Sequence, residues 1–306
     1  MVFTLIFTIS ESLLLGILLA IFFMIGAYVI ARVGKETIHA HIEKYPWDRI
    51  YFFQAVSVSL GAFSTYLLSV HLNLGAVLAS ALIGILAVLI IKPYAVPIFC
   101  GSFAGMSHPE VFGMVPMIWV SIGAGIIYLF AVGSFNGYGG KLGTIAFASG
   151  LIVWLFLSTD FMIGASFEGY MIMSILIVSV LGASLTYLIS IKLKKGPVMA
   201  SGIVGVIAFI AFSLFFNQHL GVLATAMFGA SFVGMSQTKR MPSYLGIMIA
   251  GLLFGAIFIL SAPYFNGVGG KLGTIALISI MGVSGAHQLL KRLTIKDNVQ
   301  TKNRLN

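Results

Sequence analysis

Residues 135–146 read Phe-Asn-Gly-Tyr-Gly-Gly-Lys-Leu-Gly-Thr-Ile-Ala, and residues 265–276 read Phe-Asn-Gly-Val-Gly-Gly-Lys-Leu-Gly-Thr-Ile-Ala. Only Tyr138 against Val268 breaks the identity. A match of this length, 130 residues apart, marks a duplicated fold unit. The order of shorter matches upstream agrees. Phe99 to Ser107 (FCGSFAGMS) is echoed by Phe228 to Ser236 (FGASFVGMS), Gly61 to Leu67 by Gly182 to Leu188, and Val77 to Ser80 by Val198 to Ser201. The duplication divides the chain into residues 1–50, a first unit over 51–168, a second over 169–290 and a basic tail over 291–306.

What surrounds these units follows from composition. Of 306 residues, 59% are hydrophobic and 8% charged. The mean hydropathy is +1.08. So few charges cannot cover a water-soluble surface, so the expected solvent is lipid. Runs of about 20 residues without Asp, Glu, Lys or Arg match the helix length that crosses a bilayer. Helices are expected because lipid offers no partner for an exposed peptide group. Each unit contains five apolar segments: 51–70, 75–91, 94–107, 112–134 and 142–158, then 170–191, 198–216, 220–236, 242–262 and 272–289. A further apolar run near the N-terminus lacks a basic leader and a small-residue cleavage site, so it reads as a retained first span.

Segment 94–107 decides the topology, because it is short and begins beside Pro93 and Pro97. If it crosses, the basic residues gather on one side: Arg32, Lys35, Lys92, Lys141, the Lys192, Lys194 and Lys195 cluster, Lys239, Arg240 and the tail. Only Lys271 is then left opposite, with Glu110, Asp160 and Glu168. If it does not cross, that bias collapses. The positive-inside rule therefore favours an all-α polytopic membrane protein of about 11 spans, one plus five plus five. Its N-terminus lies outside and its C-terminus in the cytoplasm of a cell (inner or plasma) membrane. An odd number of crossings per unit inverts the second unit against the first. Inverted repeats are a common construction of transporters, with the site between the halves.

The candidate site residues come in pairs. Four glycines within residues 135–143 disfavour a helix interior, so the stretch should be a break leading into the last helix of each unit. Amide groups at a helix start, with a lysine beside them, favour an anion. Phe135, Asn136, Gly139, Gly140, Lys141 and Thr144, with Phe265, Asn266, Gly269, Gly270, Lys271 and Thr274, are the first candidates for binding a solute. The competing reading is a tight connection whose lysine reaches the membrane boundary. Ser102, Ser107, Ser231 and Ser236 are the second set, set among glycines that permit a mid-membrane break or simply close helix packing.

Other classes are disfavoured. There is no HExxH or GxSxG, no carboxylate pair and no Cys–His cluster, so the chain does not read as an enzyme and calls for no metal or cofactor. Cys100, the single cysteine, permits no disulfide within the chain. His39 and His41 lie two apart, which does not share a helix face. Glu11, following Ser10, suits a helix first turn better than a proton path. The net charge of +9 sits in short loops, which argues for membrane orientation and against nucleic acid. The expected function is a transporter or channel for a small polar solute, with anions among the candidates. The expected partners are lipid and that solute, and a homo-oligomer is compatible with the reading. The alternative is a non-transporting membrane subunit that scaffolds a partner or redox complex.

Overall fold

The computed structural model describes residues 49–157, 159–164, 166–214 and 221–305. The expected first span and basic loop, with Glu11, His39 and His41, lie outside the described residues. The described chain is all-helical. It forms α1 (Arg49–Val70), α2 (Ala76–Ile90), α3 (Ala95–Ala104), α4 (Met114–Ala131) and α5 (Lys141–Trp154). There follow α6 (Tyr170–Tyr187), α7 (Pro197–Ala208), α8 (Gly221–Gly234), α9 (Tyr244–Leu260) and α10 (Lys271–Leu305). π-helical turns extend α6 through Lys192 and α7 through Leu214.

Four helices are long and apolar enough to cross a membrane: α1, α4, α6 with its extension, and α10 over Lys271–Lys291. Their outer surfaces carry Phe52, Phe53 and Leu60 on α1 and Val115, Trp119, Ile126 and Phe130 on α4, all exposed. Water would penalise apolar patches of this extent. Together these features suggest a multi-pass membrane protein.

Glycine sets how closely the helices approach, in the manner of small-residue packing in lipid. A side chain at Gly61 would overlap the Ile98 carbonyl, one at Gly101 that of Val58, and one at Gly105 that of Ala62. From Gly101 to Gly105 the contacts move from Val58 to Ala62 and Thr65, so α3 runs in the same sense as α1. The chain then continues to Phe112, whose carbonyl accepts from the Tyr66 hydroxyl at 2.7 Å near the end of α1. Residues 98–112 thus run beside the second half of α1 instead of doubling back. Helix α4 returns antiparallel to α1, with Ser59 Oγ donating to the Ser121 carbonyl at 3.0 Å. Helix α5 turns again, with Ser149 Oγ donating to the Val120 carbonyl at 2.8 Å.

The second five helices make several equivalent contacts. Gly182 abuts the Met227 carbonyl and Gly234 that of Ala183. The Tyr187 hydroxyl donates to the Met241 carbonyl at 3.1 Å, the counterpart of Tyr66 and Phe112. The chief difference from the sequence expectation is at the C-terminus, where α10 continues through the tail to Leu305. Residues 291–305 contain neither Pro nor Gly, so nothing in them stops the helix.

Candidate functional site

The two glycine-rich stretches are non-helical turns that end at Gly140 and Gly270, whose φ angles are +84° and +86°. A residue with a Cβ is strained there, which explains the second glycine of each Gly-Gly pair. Phe135 and Phe265 also adopt left-handed backbone, with φ of 52° and 55°. For a bulky residue this conformation persists only where the surroundings impose it.

Those surroundings come from the opposite unit. The Gly139 amide donates to Ser236 Oγ at 2.9 Å, and the Gly269 amide donates to Ser107 Oγ at 3.0 Å. The Gln237 amide reaches the Gly137 carbonyl at 2.9 Å, and the His108 amide reaches the Gly267 carbonyl at 2.9 Å. Each turn is therefore clamped against the end of the other unit's third helix. Helices α5 and α10 cross just beyond, where a Cβ at Gly143 would lie 2.6 Å from the Gly273 Cα.

The two predicted sets of residues meet in these clamps, but many of their polar groups are engaged. Lys141 Nζ donates to the Val132 carbonyl at 2.7 Å and to Asn136 Oδ1 at 3.0 Å. Lys271 Nζ donates to the carbonyls of Ser261 and Tyr264, at 2.8 and 2.6 Å, and to Asn266 Oδ1 at 2.9 Å. An ammonium has three hydrogens, so Lys271 is fully committed to its own turn. Each lysine follows the C-terminus of the preceding helix and closes that end with positive charge. Ser102 pairs with Ser80 at 2.9 Å and Ser231 with Ser201 at 2.7 Å. Thr144 bonds back to the Gly140 carbonyl at 3.2 Å, whereas Thr274 Oγ1 is buried without a hydrogen-bond partner.

Four phenylalanines occupy the centre. Phe103 and Phe232 lie 4.4 Å apart between ring centroids, while Phe99–Phe232 and Phe103–Phe228 are both 6.5 Å apart. All four are essentially buried. Sequence reasoning weighed the serines and glycines of these segments and passed over their phenylalanines. The available signal was Phe at i and i+4 in both copies, which places the two rings on one helix face.

Above this quartet lies a cavity of about 510 Å³, with Phe103 and Phe232 on one wall and Asn266, Gly269, Gly270 and Lys271 on another. Thr225, Phe258 and the linker residues Ile163, Gly164 and Phe167 also line it. The volume suits a small molecule. Among these lining residues, Thr225 Oγ1 donates to the Gly221 carbonyl at 3.0 Å, and Asn266 Nδ2 donates to the Ala262 carbonyl. Among the described residues, no carboxylate lines the cavity. The linker between the units lies over the second turn, with Met162 donating its amide to the Asn266 carbonyl at 3.2 Å and Phe161 set 5.2 Å from Phe265.

The single mismatch between the turns has a matching change in its neighbour. Against Tyr138 stands Arg240, its guanidinium 4.7 Å from the ring centroid and its Nε donating to the Asn136 carbonyl at 2.8 Å. In the other copy Val111 takes the place of Arg240, and its methyl lies against Gly267 beside Val268. Among the described residues, no group of three or more His, Cys, Asp or Glu side chains converges as a metal site would require.

No known protein-family model, curated protein or solved structure matches the chain.

Proposed function

We propose that the chain is a transporter or channel of two inverted five-helix units, moving a small solute along a path that passes the cavity and the phenylalanine quartet. The observation that carries this reading is the reciprocal clamp, Gly139 to Ser236 and Gly269 to Ser107, through which each unit holds the other's turn by the same bond. Such an exchange is expected when two equivalent halves are related by an axis in the membrane plane. The direction of α3 along α1 supports five crossings per unit, and five crossings invert the second unit. With the described helices so arranged, Lys92, Lys192, Lys194, Lys195, Lys239, Arg240 and Lys291 fall at one end, and Glu110, Asp160 and Glu168 at the other. The basic end is then cytoplasmic, with the C-terminus, and a first span over the N-terminal apolar run places the N-terminus outside.

The lining also bears on the solute. Lys271 gives the cavity a positive charge, the start of α10 adds the positive end of its dipole, and no acid among the described lining residues offsets them. A neutral or anionic solute that presents a hydrogen-bond acceptor fits this wall, and the phenylalanines suit an apolar body. Cations are disfavoured. The charge distribution agrees with residence in a cell membrane, with lipid as the surrounding partner. The scaffold alternative gains no specific support from the cavity.

Reconstituted liposomes test the proposal. Flux of small neutral or anionic solutes above that of empty vesicles is expected, and labels at Gly137→Cys and Gly267→Cys should report opposite faces. Both labels on one face would overturn the inverted arrangement.

A further inference from the structure

Helices α1 and α4 leave a groove of about 560 Å³ on the outer surface of the first unit. Small residues line its floor: Ala55 and Ser59, four apart on α1, with Ser121 of α4. Its rim is bulky and exposed, with Val56, Leu60 and Ile122. Both floor hydroxyls are satisfied at home, Ser59 Oγ donating to the Ser121 carbonyl and Ser121 Oγ to the Met117 carbonyl, so an occupant needs no polar group. The second unit differs at the matching place. With Gly61 set against Gly182, Ala55 corresponds to Leu176 and Ser59 to Val180. The Leu176 side chain extends across to α9, where a Cβ at Gly255 would lie 3.1 Å from its Cδ2. It takes up space that the methyl of Ala55 leaves open.

The chain ahead of α1 supplies an apolar occupant that belongs to neither unit. Residues 12–31 (SLLLGILLAIFFMIGAYVIA) contain no Asp, Glu, Lys or Arg, and residues 32–48 join them to α1. An extended connection of that length reaches roughly 55 Å, enough to lay the run along α1. So short a tether holds the run at an effective concentration on the order of millimolar, which favours it over a second copy of the chain. We infer that this N-terminal apolar run docks in the α1–α4 groove and completes the first unit's outer face. Docking does not depend on solute movement, though it rests on the run crossing the membrane as proposed above. Ala55 and Phe63 bound the groove at roughly 9 and 21 Å along α1 from Arg49. A helix that leaves the same membrane face at Ala31 and runs antiparallel to α1 brings residues 17–25 to those depths. There Ile17, Ile21 and Met24 share one face and enter the groove, while Gly16 and Ala20 beside them allow close approach to Ala55 and Ser59.

The test is cross-linking in full-length protein in its membrane, with Cys100→Ser to remove the native thiol and a protease site inserted between residues 32 and 48. Cysteines placed singly at Ile17, Ala20, Ile21 and Met24 are each paired with Leu60→Cys on the rim, or with Leu181→Cys at the matching place of the second unit. After oxidation and cleavage, the two fragments should stay joined until reduced for at least one Leu60→Cys pair, and separate for every Leu181→Cys pair. Ala55→Leu, which copies the second unit, should lower the joined fraction severalfold in protein that melts as its parent does. Equal joining to Leu181→Cys, or a joined fraction that Ala55→Leu leaves unchanged, would overturn the inference. So would fragments that never join, whether Leu60→Cys forms covalent dimers, which marks a second copy as the occupant, or reacts freely with a membrane-soluble maleimide, which marks lipid. Should Ala55→Leu fail to fold, the comparison of Leu60→Cys with Leu181→Cys decides alone. Glu11→Cys that is still labelled from outside while no fragments join would overturn the docking and leave the first span in place. Joined fragments in a protein that moves no solute would count against transport and leave the docking intact.

Discussion

Lys271→Met separates the two roles that a lysine at this position can play. In the structure its ammonium satisfies three acceptors, the carbonyls of Ser261 and Tyr264 and the Asn266 side chain, at 2.6 to 2.9 Å. Methionine keeps the length and apolar stem but leaves those three oxygens without their donor. A hydrogen bond to a charged group contributes about 1.5–3 kcal/mol, and returning the ammonium to water offsets part of the sum. The expected net loss is about 2–4 kcal/mol for Lys271→Met. Lys141 makes two such bonds, to Val132 and Asn136, so Lys141→Met should cost about 1–2 kcal/mol. Denaturation of the purified variants in mixed detergent measures both losses, and solute flux in liposomes is read in parallel. Destabilisation ordered 271 above 141, with residual flux in proportion to folded protein, identifies a structural clasp. A Lys271→Met protein as stable as its parent but unable to move an anion would refute the clasp and make the ammonium a solute contact.

Further outcomes follow from individual contacts. Gly143→Val should prevent the α5–α10 crossing, because even a Cβ there meets Gly273 Cα at 2.6 Å; loss of monodisperse protein in gel filtration is the expected result. Thr65 and Thr186 are fully buried in equivalent places and their hydroxyls have no hydrogen-bond partner. Thr65→Val and Thr186→Val should therefore be neutral or stabilising by up to about 1 kcal/mol in the same denaturation assay, since an apolar group of equal shape replaces an unsatisfied one. Phe103→Ala removes the ring that contacts both Phe99 and Phe232. It should cost about 3–5 kcal/mol and raise solute leak, whereas reduced leak would argue that the path runs elsewhere.

The all-helical character and the breaks between helices were legible because they rest on apolar runs and on glycine content, which a single sequence displays directly. The course of residues 95–112 was legible only through charge bias, since a ten-residue helix beside two prolines looks alike whether or not the chain continues through. The clamps were half legible. Ser107, Ser236, Gly139 and Gly269 were singled out, but their pairing across units is a long-range contact that no local pattern reports. The continuation of α10 into the tail was missed because polarity was taken to end the helix as well as the span. Polar residues end burial in lipid, yet only Gly, Pro or an unsatisfied cap stops the backbone ladder.

The candidate lysines illustrate why duplication alone does not identify a binding group. A residue found at both matching turns is required wherever the chain makes the same turn twice, and Lys141 and Lys271 meet that need by closing the ends of α4 and α9 with their own hydrogen bonds. More is learned where the copies disagree. Tyr138 with Arg240, against Val268 with Val111, is such a disagreement, made on both sides of one contact. Two changes that compensate each other preserve the packing of each turn, and the Asn266 carbonyl, which no arginine reaches, accepts instead from the Met162 amide of the linker, as the Asn136 carbonyl accepts from Arg240.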